Sequence, residues 1–157
     1  MVGRRIAGVI AMALLVGCGA AARFSGHGYS LQVPTNPEFS YRQETSTAVI
    51  QDEWAVKSQP AEAFGVTVVD PLPSDWPSTL DGALAQAQAQ FAIMDYTDPT
   101  VTTVNLPAGS ADQLDATGTL GAVRMYAFYK GNKYFVVDFA GVPPPLMDQI
   151  INSFTLN

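Results

Sequence analysis

The chain has one cysteine, one histidine and only eight lysines plus arginines in 157 residues, and each scarcity excludes a class of chemistry. A single cysteine, Cys18, allows no intramolecular disulfide. One histidine and no second thiol leave too few favoured ligands for zinc. That histidine, His27, stands between Gly26 and Gly28 with no orienting partner in view, which is a poor setting for a general base. Calcium needs only oxygens, but Asp95 to Asp98 and Asp112 to Asp115 do not follow the spacing of a helix–loop–helix calcium site and read as solvated loops. No glycine-rich loop offers a phosphate cradle. Fourteen acids against eight bases give a net charge of −6, which argues against nucleic acid and against electrostatic docking on anionic lipid. No cofactor, no metal and no catalytic activity are expected. There is also no apolar run of the roughly 20 residues that a membrane-spanning helix needs.

What is present begins at the N-terminus. Arg4 and Arg5 precede an apolar stretch from Ile6 to Val16, too short to span a bilayer and suited to a signal peptide. Leu15-Val16-Gly17-Cys18 follows and resembles the lipobox of bacterial lipoproteins. The order has a chemical reason: a thiol takes the diacylglyceryl thioether, and a small Gly17 lets the peptidase reach the bond before it. The expected division is residues 1–17 as a cleaved signal, 18–27 as the lipidated Cys18 with a small, polar, flexible tether, and 28–157 as one domain. Removing Arg4 and Arg5 leaves six bases against fourteen acids in the mature part. Each buried methylene contributes roughly 0.8 kcal/mol, so palmitate-type chains on Cys18 would hold the protein on a membrane without a spanning helix.

About 140 residues suffice for one hydrophobic core. Alternating apolar residues predict strands at Gly28 to Val33, Phe39 to Thr45, Ala48 to Val56, Glu62 to Val69 and Val101 to Leu106. Gln59-Pro60 is expected as a turn, and Pro107 to Gly118 as a polar, turn-rich connection. Leu80, Leu84, Ala87, Phe91 and Met94 recur at helical spacing after a capping pattern at Ser78, which predicts a helix from about Ser78 to Met94. Gly131-Asn132 between Leu120 to Tyr129 and Lys133 to Ala140 predicts a β-hairpin. Its two-residue turn would set Phe128 opposite Phe135, Tyr126 opposite Val137 and Tyr129 opposite Tyr134. Both hairpin faces are then mainly apolar, and both need cover. A short C-terminal helix from Leu146 to Phe154 starts after Pro143-Pro144-Pro145.

This order of elements resembles the Mog1/PsbP-like superfamily, and within it the small bacterial lipoproteins of the LpqN type. The likeness is carried by Gly28 to Pro34, the Val66-to-Val69 strand leading into Ser78 to Met94, the Leu120-to-Ala140 hairpin and the closing Ile150 to Leu156. It implies an α+β fold in which an antiparallel sheet is covered by helices on both faces, an α/β/α sandwich. It also implies a non-enzymatic role in binding or assembling other proteins.

The expected function is therefore a membrane-anchored, extracytoplasmic lipoprotein in the cell membrane or outer membrane. Its partners would be the lipid anchor and another envelope protein. The alternative is a carrier or sensor of a small apolar ligand held between sheet and helix. Trp76, braced by Pro73 and Pro77, either packs on the core as a lid or anchors a partner together with Asp75 and Tyr96. Asp138 interrupts an apolar strand; it either reaches water or a loop amide, or it lines a ligand pocket.

Overall fold

The computed structural model describes residues 21–35, 38–76, 82, 85, 97–118 and 121–157. Strands run at Ala21–Gly26 (β1), Tyr29–Pro34 (β2), Phe39–Thr45 (β3), Val49–Val56 (β4), Gln59–Val69 (β5), Thr97–Leu106 (β6), Gly109–Gly118 (β7), Gly121–Lys130 (β8), Lys133–Ala140 (β9) and Thr155–Leu156 (β10); Pro144–Ser153 is a helix (α1). They form a three-stranded sheet, β1-β2-β10, and a seven-stranded sheet, β3-β4-β5-β9-β8-β7-β6. All pairings are antiparallel.

The β8–β9 hairpin has the register its Gly131-Asn132 turn predicts, with Phe128 opposite Phe135, Tyr126 opposite Val137 and Tyr129 opposite Tyr134. Its Phe128, Phe135, Val137 and Phe139 join Trp54, Phe64, Val66 and Val68 in the main core. Period-two alternation aims these side chains at one face of the large sheet. That face is closed by Tyr29, Leu31 and Val33 of β2 and by Ile150, Ile151 and Phe154 at the C-terminus. On the opposite face Val69, Ala127, Tyr134 and Val136 cluster with Leu72 and Trp76 of the loop after β5. Leu114 and Ala116 pack there with Val101, Val123 and Met125.

The expected sandwich of one antiparallel sheet covered by helices on both faces is corrected by this arrangement. The described residues hold ten strands in two antiparallel sheets and, beside the helical residues Gly82 and Ala85, one helix described from end to end, of ten residues. The cover on the core face is mostly a second sheet, because β1 and β10 pair on either side of β2. The helix expected over Ser78 to Met94 lies outside the described residues apart from Gly82 and Ala85, both helical.

Three further expectations change. Ala21 to Gly26, expected within the flexible tether, is β1, held by backbone pairing to β2 and by Phe24 packing edge-on to Trp54 at 5.1 Å. Its alanines, serine and glycine carry little strand propensity; the partner strand, the packing of Phe24 among Tyr29, Tyr41 and Trp54 and the Arg23 donation to Ser30 at 2.7 Å order it. The polar stretch ending at Gly118 is β7, not a loop; its turn is confined to Pro107-Ala108. Gln59-Pro60 belongs to β5, and the turn is at Lys57-Ser58.

Candidate binding cleft and a buried carboxylate latch

An open cleft of about 720 Å³ lies where β7 and β8 meet the segment leading into α1. Val123, Val142 and Met147 form apolar wall, and Thr100, Asp115 and Arg124 supply the polar lining. Strand pairing creates the charged element: Asp115 of β7 is directly opposite Arg124 of β8. Arg124 donates from Nε to Asp115 Oδ1 at 2.6 Å and from Nη2 to Oδ2 at 3.3 Å. Gln113 donates to Asp115 Oδ2 at 2.7 Å. The hydrogen bond to Asp115 raises the Arg124 pKa, the largest of several effects. Arg124 and Asp115 thus satisfy one another, and the cleft presents a neutral, mixed polar and apolar surface. At 32% and 36% exposure this pair contributes under about 1 kcal/mol to folding; its effect is on the character of the cleft.

A second polar centre lies between the two sheets. Asp52 is on the core face of β4, two residues before Trp54, and is 0% exposed. Tyr29 of β2 donates to its Oδ2 at 2.6 Å. Tyr41 of β3 donates to Oδ1 at 2.6 Å, and Gln43 donates to the same oxygen at 2.8 Å. Gln43 also approaches His27 Nε2 at 3.0 Å. Burial first, and then donation to Asp52, pushes the Tyr29 hydroxyl far above the phenol range. The same causes push Tyr41 up to about 12. A buried carboxylate must be hydrogen-bonded, and here its donors come from both sheets. The arrangement latches the small sheet to the large one. His27 takes part only at its solvent edge, in a left-handed conformation with φ 53°.

The residues expected as a site do not come together. Cys18 and Tyr96 lie outside the described residues. Asp75 is exposed, and Trp76 is half-buried, tilted against Tyr134 with ring centres 5.7 Å apart. Its loop is tied to the hairpin tip by Lys133–Asp70 at 2.6 Å and by Leu72 N–H donating to Asn132 O at 3.2 Å. Of the acids first read as solvated loops, Asp112 is buried and accepts from Thr103 at 2.8 Å, and Asp115 is the ion-pair partner of Arg124. Sequence reading missed Asp52. The available signal was its position on the face that Trp54 shares, an acid on an apolar stripe.

Asp138 is half-buried on β9 opposite Gly65, whose missing side chain makes room: a Cβ there would lie 3.1 Å from Asp138 Oδ1. Desolvation, then the negative charge of Glu53, pushes its carboxyl up to about 6. A folded-state pKa above the unfolded value of 3.8 means the folded protein binds the proton more tightly. Stability contributed by this group is complete below about pH 4 and is lost as pH rises toward 6. Asp138→Asn should therefore stabilise the protein by up to about 3 kcal/mol above pH 6. In thermal melts the gain should vanish at pH 4; a gain independent of pH would show that the ionised carboxylate is not the destabilising species.

No family model matches the sequence, and no curated protein matches it significantly. Among solved structures, the chain is similar to cyanobacterial PsbP (CyanoP) from Synechocystis sp. PCC 6803, determined in solution. The TM-score is 0.63 at 14% sequence identity, over 96% of this chain and 100% of that one. The likeness is one of fold: the chain has a PsbP-like fold.

Proposed function

We propose that this chain is a lipid-anchored protein of the extracytoplasmic face of a bacterial membrane, and that it binds another envelope protein without catalysing a reaction. The observation that carries the binding role is the open cleft with its self-neutralised Asp115–Arg124 pair and apolar wall. Partner surfaces of this kind combine apolar contact with satisfied polar groups. The described lining of the cleft gathers neither a histidine nor a thiol, and the buried carboxylate at Asp52 has its donors already committed to holding the sheets together. Anchoring rests on Leu15-Val16-Gly17-Cys18 after its apolar run. The space between the large sheet and α1 is filled by Ile150, Ile151 and Phe154; this speaks against an apolar ligand carried there.

Cys18→Ala should abolish incorporation of radioactive fatty acid and leave the protein soluble or with its signal uncleaved. Unchanged labelling would end the lipoprotein reading. For the binding role, Ala122→Trp at the exposed rim should obstruct the cleft and abolish capture of the partner crosslinked by the wild-type protein. Undiminished capture by a folded variant would move the binding surface elsewhere.

A further inference from the structure

The direction of β1 fixes which end of the molecule a lipid on Cys18 would hold against the bilayer. A side chain at Gly28 would meet Phe135 at 3.6 Å, so the β1–β2 turn lies at the level where β9 begins. Phe24 packs on Trp54, which is opposite Phe64, which in turn is opposite Phe139 near the end of β9. Read from Gly26 back to Ala21, β1 therefore runs in the same sense as β9 from Phe135 to Ala140. Ala21 lies three residues, or roughly 10 Å, past Phe24, toward the sheet end occupied by Ala140, Gly141 and Ala122. Gly141 N–H donates to Ala122 O there at 3.4 Å. Both residues line the cleft, as does Pro144. The Gly131-Asn132 tip is at the other end of β9.

Chain length supplies the second constraint. From Cys18 to Ala21 is three Cα steps, which reach at most about 11 Å. The tip lies about 27 Å away along the eight residues of β9. So short a connection holds the cleft-bearing end near the membrane and the tip away from it. The chemistry of the cleft narrows what it can meet there. Arg124 is committed to Asp115, so the cleft has no surplus cation for a lipid phosphate. Its threonine and aliphatic lining suits a short, largely uncharged polypeptide segment.

We infer that the cleft faces the bilayer and takes the juxtamembrane segment of an integral membrane protein. This rests on the lipid anchoring proposed above. The test uses the full chain in intact cells, with a photo-crosslinking benzoylphenylalanine placed at exposed Ala122, at exposed Pro144 or, at the far tip, at Asn132, and with fatty-acid labelling of the same cultures. The expected result is labelled protein that forms adducts from positions 122 and 144 but not from 132, with the crosslinked peptide immediately beside a membrane span of its partner. Labelled protein whose adducts come mainly from 132, or whose adducts at 122 and 144 contain only lipid or soluble proteins, or which forms none, overturns this inference and leaves the anchoring reading standing. Absence of fatty-acid label overturns both.

Discussion

Phe135→Ala should lower the stability of the fold by about 3–5 kcal/mol, the usual range for emptying a buried aromatic site. Phe135 is fully buried, stands opposite Phe128 on one side and Val68 on the other, and belongs to the cluster that joins the two sheets. Its neighbours in β8 and β5 are fixed by ladder pairing and cannot collapse far into the space left. Asn132→Ala, in the exposed turn of the same hairpin, should cost far less, because only a turn preference is lost. Urea denaturation followed by tryptophan fluorescence reads both. A midpoint that hardly moves for Phe135→Ala would mean that the β8–β9 inner face is not the core.

Asp52→Ala should cost about 2–4 kcal/mol, since the buried Tyr29 hydroxyl would lose its charged acceptor and be left unsatisfied. Two controls separate the latch from simple cavity formation. Tyr29→Phe removes the one side-chain donor to Oδ2 and should cost about 1.5–3 kcal/mol; Tyr41→Phe should cost under about 1 kcal/mol, because Oδ1 keeps its hydrogen bond from Gln43. Tyr41 is 49% exposed. The second readout is spectroscopic. In Asp52→Ala the Tyr41 phenol should titrate below its present value of about 12, since it no longer donates to a carboxylate. An ultraviolet titration in which Tyr41 does not move would show that Asp52 is not its acceptor in solution.

The strands most legible in sequence were those whose apolar residues alternate without interruption. The β8–β9 hairpin could be read to its register, because Gly131-Asn132 permits one tight turn and the period of two then fixes every opposite pair. The C-terminal helix was legible for a similar local reason: prolines preset its first turn, and Ile150 and Ile151 fall on its buried side. β7 was not legible. Its alternate positions are Ala111, Gln113 and Asp115 on one face and Asp112, Leu114 and Ala116 on the other, so no apolar stripe shows. Asp115 and Asp112 become acceptable strand residues only when Arg124 and Thr103 are brought opposite them.

By itself the sequence determined the scarcity of catalytic and metal-ligating side chains, the lipobox-like Cys18 and the pairing of its strongest hairpin, because these depend on residue identity and short spacing alone. Tertiary structure decided what covers the large sheet, where the cleft opens and why Asp52 can be buried. β1 has little propensity of its own and exists through pairing with β2, the Arg23 donation to Ser30 and the packing of Phe24 among Tyr29, Tyr41 and Trp54. The donors to Asp52 come from β2 and β3, up to 23 residues away in sequence. Backbone pairing and the burial of polar groups are satisfied by partners distant along the chain, and a period read within one segment carries no information about which segment will supply them.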